Sequence, residues 1–517
     1  KRNIALSRHL LKATFTVGAM TMISRVFGLV RDVVIARLFG AGLGMDVFIV
    51  AFRIPNFLRR LFAEGGFSQA FVPVLSEYRE QRSQQEVKAL VDHTAATLGL
   101  VLFAITVIGI LAAPLLIMVF APGFVADEGK HALASDMLRI TFPYILFISL
   151  TAFAGGILNT YKQFVVPALT PVLLNLSLIA AGLWLAPLMA EPVKALAWGV
   201  LIAGIVQLLF QLPFLFRIRM LPQPRLDRDR EGVKRILMLM LPALFAVSIV
   251  QINLLVDTLI ASFLITGSIS WLYYSDRLLE FPIGVFGVAI GTVVLPSLSE
   301  KHARQSAASF SRTLDWALRW ILLIGIPAAL GLILLAKPLL TTLFQYEEFT
   351  AHDVTMASRS LIAFACGLPA FLLIKVLAPG FFSRQDTRTP VKVGVIALVS
   401  NIVLNLLLVG PLAHAGLALA TSLAAFIQVG LLYGLLRRQK VYHPEAGWCG
   451  FITRIVIASL LMCLLLNYAV ADFAQWLAWG VADRVVQLAL WILAGTACYF
   501  IALWAMRMPW RDMTAQI

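Results

Sequence analysis

Apolar residues fill this chain in long blocks, with polar and basic residues gathered between them. A helix needs about 20 apolar residues to cross the hydrocarbon core of a bilayer. Fourteen segments predict such helices: roughly 10–39, 44–75, 90–120, 134–161, 165–187, 194–217, 233–265, 270–298, 312–345, 354–383, 389–410, 414–437, 450–471 and 484–507. Several exceed about 25 residues, which predicts tilt, kinks or ends that protrude into water. The pattern is that of an all-α, polytopic membrane protein.

Lysine and arginine in the connections set the orientation. Connections after even-numbered spans are basic: Arg79, Arg82 and Lys88; Lys162; Arg217, Arg219, Arg225, Arg228 and Arg230; Lys301 and Arg304; Arg384 and Arg388; Arg437, Arg438 and Lys440. Connections after odd-numbered spans are nearly bare, with Lys130, Lys194 and Arg484 the main exceptions, and one holds Glu347 and Glu348. The positive-inside rule places both termini in the cytoplasm.

The chain repeats itself. Pro73-Val-Leu-Ser-Glu77 recurs as Pro296-Ser-Leu-Ser-Glu300, an offset of 223. Pro167 matches Pro390 at the same offset; Leu196, Ala197 and Gln207 match Leu417, Ala418 and Gln428 at 221. The matches predict two pseudo-symmetric six-helix lobes, 1–222 and 223–440, with two further helices in 441–517. Parallel repeats of this kind pack about an axis along the membrane normal, with the substrate site between them. The basic stretch 217–235 reads as a cytoplasmic linker; the alternative is a surface helix resting on anionic lipid.

The densest intramembrane charge lies between Ser24 and Phe67, which carries Arg25, Arg31, Asp32, Arg37, Asp46, Arg53, Arg59, Arg60 and Glu64. Ionisable groups at membrane depth are costly and normally face a cavity or a partner. Thr21, Arg25, Gly28 and Asp32 share one helical stripe. Asp46, Arg53, Arg60 and Glu64 follow heptad or i+4 spacing, and Pro55 is expected to kink their helix. Gly40, Gly42 and Gly44 make a candidate hinge. In the eighth span Ser270, Tyr273, Tyr274, Asp276, Arg277 and Glu280 form a second polar patch, in which Asp276 and Glu280 bracket Arg277. The repeat offset places Arg277 opposite Ile54, beside Arg53, so the two patches are expected to face each other. Arginines exceed the acids, and an unpaired buried guanidinium is expensive. Guanidinium forks match phosphate oxygens bidentately, so a phosphate or diphosphate headgroup suits such a cavity. The plainer reading is ion pairing that joins helices. A second constellation, Asp257, Asn401, Asn405 and Thr421, offers oxygens for a monovalent cation such as sodium; interhelical hydrogen bonding is the plainer reading.

Composition closes off other classes. The chain is 60% hydrophobic and 13% charged, with a net charge of +15 and a mean hydropathy of +0.88. A soluble fold of this length could not hide so much apolar surface. The positive charge therefore reports topology and not nucleic acid. Cys366, Cys449, Cys463 and Cys498 lack disulfide or zinc spacing. The seven histidines form no metal-spaced pair. No GxxxxGK[ST] motif supplies an ATPase engine.

The runs MISRVFGLVRDVVIARLFGAG, DVFIVAFRIPNFLRRLFAEGGFSQAFVPVLSEY, SWLYYSDRLLEFPIGVFGVAIGTVVLPSLS and VLAPGFFSRQDTRTPVKV resemble the bacterial lipid II flippase family MurJ, also called MviN. The resemblance covers almost the whole chain. It implies the fold of the multidrug/oligosaccharidyl-lipid/polysaccharide exporter superfamily, a role in peptidoglycan biosynthesis at the inner membrane, and critical cavity arginines at Arg25, Arg31, Arg59 and Arg277. It also implies importance for Asp46, Glu64, Ser270 and Glu280. Arg53 stands where close relatives often have lysine, and Asp257 where some have asparagine. The expected substrate is lipid II, undecaprenyl diphosphate bearing a disaccharide-pentapeptide, with the arginines on the diphosphate and spans 13 and 14 guiding the polyprenyl tail. Membrane lipids are the other expected partners, of a monomer. The rival is a cation-coupled drug exporter of the same superfamily, whose cavity should be acidic and aromatic where this one is basic. A non-transporting scaffold would not carry so many intramembrane arginines.

Overall fold

A computed structural model describes residues 2–60, 67–225 and 231–508. Their regular structure is helical throughout, with nineteen α-helices. They fall into two compact units, Lys1–Gly267 and Ser268–Ile517.

In the first unit, α1 (Arg2–Phe39) ends at Gly40, whose φ of 61° closes the helix in the left-handed region that glycine adopts without strain. Gly42 is extended and precedes α2 (Leu43–Arg59), and Gly44 is already helical, so the turn is confined to 40–42. α3 (Ser68–Gln81) leads to α4 (Gln84–Leu111), which opens on a reciprocal Ser83–Glu86 capping box. α5 (Ala113–Phe120) follows, and Asp127 caps α6 (Glu128–Thr141). Then come α7 (Tyr144–Thr160), α8 (Val165–Ala180), α9 (Lys194–Arg217) and α10 (Glu231–Ala261). Phe67, Phe71 and Phe153 stack at one centre of this core. Gly156 lets α7 approach α3 there: a Cβ would stand 3.2 Å from the Phe71 ring. α10 packs on α3, α4 and α5. By repeat offset it opens the second lobe, and by packing it lies with the first unit.

The second unit runs through α11 (Ser268–Pro282), α12 (Val288–Ala303), α13 (Ala307–Leu334), α14 (Ala336–Phe344) and α15 (Ala351–Phe382). α15 starts on a Thr350–Asp353 capping box. α16 (Arg388–Arg438) is one helical element of 51 residues broken at Ala413, φ 48° and ψ −130°. Unbroken, it would be about 75 Å long at 1.5 Å per residue, far more than a bilayer core of about 30 Å. The break separates the expected spans 389–410 and 414–437. α17 (Trp448–Ala469), α18 (Phe473–Ala478) and α19 (Val481–Ala505) complete the unit. α17 and α19 pack together and against α13 around Phe451, Ile455, Leu466 and Tyr499. Arg484 pins the start of α19 by donating to the carbonyls of Trp476, Leu477 and Gln345.

The duplication is written into the helix ends. α4, α5, α6 and α8 begin 223 residues before α13, α14, α15 and α16. The left-handed residues that close spans repeat likewise: Lys162 with Gln385 at 223, and Arg219 with Lys440 at 221.

Among the described residues nine helices are long and apolar enough to cross a membrane, α16 counted once and α6–α7 taken together. The expected spans 10–39, 44–75, 233–265 and 270–298 fall on α1, α2–α3, α10 and α11–α12, outside those nine.

Candidate functional site

The α1 charges are organised by α8. Arg31 donates from Nε and Nη2 to Asp32 Oδ1 at 2.9 and 2.6 Å, and from Nη1 to Asn175 Oδ1 at 3.0 Å. Asn175 Nδ2 returns to the carbonyl of Ser24 at 3.2 Å. Arg31 and Asp32 are 7% and 2% exposed, so this pair is sealed inside the first unit. Gly28 meets the same asparagine: a Cβ there would lie 3.8 Å from Asn175 Nδ2. Arg25 is half-buried and Arg37 exposed. Asn175 was not singled out from sequence; nothing local to it signals a partner 144 residues away.

On α2, Asp46 is buried and Oδ2 accepts the Gly267 N–H at 2.6 Å. Gly267 takes φ 99°. Arg53 Nη1 donates to Thr258 Oγ1 on α10. Asp46 and Arg53 thus tie α2 to α10 and to the turn that follows it. Pro55 lies inside α2. Arg59 Nε donates to Asn56 Oδ1 at 2.8 Å, and Arg59 and Arg60 are half-buried. Glu64 lies outside the described residues, as does the Thr21 side chain.

In the second unit α11 carries the expected polar patch. Arg277 Nη1 pairs with Glu280 Oε2 at 2.7 Å, and its guanidinium lies 5.0 Å from the Tyr273 ring centroid. Ser270 is fully buried. Two bonds that sequence reading missed fix this helix on α15: Trp271 Nε1 to Asp353 Oδ1 at 2.8 Å, and Ser275 Oγ to the Ala357 carbonyl at 2.7 Å. The His414 ring packs 4.9 Å from Trp271 and holds the Met356 carbonyl through Nε2. An indole N–H in an apolar span needs an acceptor, which is the signal that could have found Asp353.

The cation constellation divides. Asp257 lies in the first unit, where Asn253 Nδ2 approaches its Oδ2 at 3.5 Å. Asn401, Asn405 and Thr421 lie in the second and bond in series: Asn405 Nδ2 to Asn401 Oδ1 at 2.9 Å, Asn401 Nδ2 to Thr421 Oγ1 at 3.2 Å, and Thr421 to the Leu417 carbonyl. This chain staples the two arms of α16 across the Ala413 break. Among the described residues no cluster of His, Cys, Asp or Glu has the makings of a metal site. If Asp257, Asn401, Asn405 and Thr421 hold sodium, the melting midpoint should be higher in sodium chloride than in the chloride of a large organic cation, and Asp257→Asn should lose that rise; equal melting in both salts would dispose of the site.

Known proteins agree on what such a chain is. The model of the family "Lipid II flippase MurJ" matches residues 35–487. A probable lipid II flippase MurJ of Vibrio cholerae is 49% identical across 99% of both chains. The chain belongs to the lipid II flippase MurJ family. A lipid II flippase MurJ of Burkholderia cenocepacia is 44% identical over 96% of this chain and 98% of its own. A solved lipid II flippase MurJ in an inward closed conformation superposes with a TM-score of 0.80 at 29% identity, covering 94% of this chain and 97% of its own. A multidrug transporter of the MATE family, inward-facing, gives 0.69 at 16% identity over 83% and 98%, a likeness of fold alone. The family consists of transporters, not enzymes, and the chain is a multi-pass membrane protein.

Proposed function

We propose that this protein moves lipid II from the cytoplasmic to the periplasmic leaflet of the bacterial inner membrane by alternating access. One observation supports the choice of substrate above the others. Arginines on α1, α2 and α11 stand at least partly buried within apolar helices, in a chain nearly half identical to proteins named as lipid II flippases. Arg25, Arg59 and Arg277 are the diphosphate ligands in this reading. Asp46 and Arg53 act through their bonds to α10 and its following turn, and Ser270 and Glu280 shape the second face. Fourteen crossings, both ends of the chain in the cytoplasm, and a polyprenyl tail lying along α17 and α19 complete the picture, in a monomer. No ATPase motif is present, so the membrane potential is the natural drive: each unit charge crossing it gains about 2.3 kcal/mol per 100 mV. The drug-exporter alternative shares the fold and lacks a reason for the arginines.

Two measurements test this. Depleting the protein should leave lipid II in the cytoplasmic leaflet, inaccessible to a periplasmic probe; unchanged access would reject the transport role. Topology tags in 217–232 and 437–446 should report cytoplasm, and a tag beside Glu347 periplasm. A periplasmic signal from 217–232 would invert the orientation.

A further inference from the structure

Two buried aspartates occupy equivalent places in the duplicated fold, and the transport reading uses neither. Asp92 lies on α4 and Asp315 on α13, separated by the same 223 residues that relate those helices. They are 5% and 1% exposed. Each has a basic partner one turn away on its own helix: Lys88 on Asp92, and Arg319 Nε on Asp315 Oδ2 at 2.7 Å. Each also reaches the backbone just beyond the last helix of its repeat. Asp92 Oδ1 accepts the Gln223 N–H at 2.7 Å, shortly after left-handed Arg219. Asp315 Oδ1 accepts the Glu445 N–H at 3.2 Å, shortly after left-handed Lys440. The helix that follows is α10 in one case and α17 in the other.

The two anchors differ in strength. Asp92 holds one backbone N–H, and its lysine is a quarter exposed, at 25%. Asp315 Oδ1 also accepts the Tyr442 hydroxyl at 2.6 Å and the Trp448 indole N–H at 2.7 Å. Arg319 lies over the Trp448 and Phe451 rings and donates to the Ala446 carbonyl at 3.0 Å. Ser311 and His443 add two more bonds between α13 and the same loop. Burial, with the Asp315 carboxylate beside it, pushes the Tyr442 phenol above its ordinary value, so it stays a donor at neutral pH. A buried carboxylate gripped this fully stays put; one gripped by a single amide and a wet lysine opens more readily.

We propose that Asp92 and Asp315 are one positioning device used twice: a buried carboxylate that catches the backbone leaving each six-helix repeat and so sets where the next helix begins, releasable ahead of α10 and permanent ahead of α17. Duplication copied the anchor. The second copy then gained Tyr442 and Trp448, which lock the appended helices to α13. The first did not, which leaves the approach to α10 adjustable.

Hydrogen exchange on the purified full-length protein tests this without reference to any substrate. Asp92→Leu keeps the branched shape and removes the acceptor; exchange in 219–225 should rise about tenfold while the amides in the middle of α4 stay protected. Asp92→Asn keeps an acceptor oxygen and should return most of that protection. Tyr442→Phe removes one of several bonds and should raise exchange in 441–448 less than about threefold. Asp315→Leu should open 441–448 throughout and lower the melting midpoint; should it fail to fold, Tyr442→Phe still reads the second anchor. Unchanged exchange in Asp92→Leu, an Asp92→Asn no better than leucine, or a Tyr442→Phe that opens 441–448 as far as Asp92→Leu opens 219–225 would each overturn the proposal.

Discussion

Arg31→Ala is expected to deplete the folded protein from the membrane. The guanidinium makes two bonds to Asp32 and one to Asn175, and both Arg31 and Asp32 are buried. Removing one partner of a buried ion pair costs about 3–5 kcal/mol, because the other charge stays behind. Whole proteins are stable by only about 5–15 kcal/mol, so abundance should fall severalfold and the melting midpoint by several degrees. Arg31→Ala combined with Asp32→Asn should recover much of both, since no sealed charge then remains. Arg31→Lys should recover less than the double variant: lysine keeps the charge but cannot span Asp32 and Asn175 with one planar fork. Quantifying membrane abundance for the three variants decides the matter. Full abundance of Arg31→Ala, with translocation lost, would move Arg31 from the internal pair to the substrate.

Much of this architecture was legible because its determinants are local or periodic. The capping boxes at Ser83 and Thr350 span four residues each and went unread, though the Ser-x-x-Glu and Thr-x-x-Asp spacing signals them. The 223 and 221 offsets found in proline and glutamine positions return as helix starts and left-handed turns. The gap between spans 389–410 and 414–437 marks the α16 break, though nothing about an alanine announces a positive φ at Ala413. The site was legible in residue type and less so in partnership. Arg277 finds Glu280 one turn away, as spacing allowed. Asp46 finds the backbone N–H of Gly267, and Arg53 finds Thr258, both across more than two hundred residues. A backbone donor carries no mark in a sequence, and a threonine in an apolar helix has many possible uses. Asp92 and Asp315 were within reach, since applying the repeat offset to acids as well as to prolines aligns them. Asn401, Asn405 and Thr421, grouped from spacing, do bond in series.

The sharpest test of function is the set Arg25, Arg59 and Arg277. All three are half-buried and none is sealed. Arg59 bonds within its own turn to Asn56, and Arg277 to a Glu280 side chain that is 47% exposed. Both side chains are only half-buried, so membrane abundance should stay near wild type, in contrast to Arg31→Ala. If these groups hold a diphosphate, each loses charge-assisted hydrogen bonds worth about 1.5–3 kcal/mol. Each alanine variant should then slow lipid II translocation by about ten- to a hundredfold, since about 1.4 kcal/mol is a factor of ten. Lysine should rescue in part, because it retains the charge and loses the bidentate fork. Raising the salt concentration should weaken the lysine variants more than the wild type, as a point charge is screened more easily than a forked, partly desolvated contact. Glu280→Gln separates the ground state from the bound state: it removes the Glu280 charge from Arg277 and should leave translocation within about threefold of wild type, because that pair is exposed and weak. Alanine variants at all three positions that are abundant and translocate normally would remove the diphosphate from this site, and the arginines would then be read as charges that set topology.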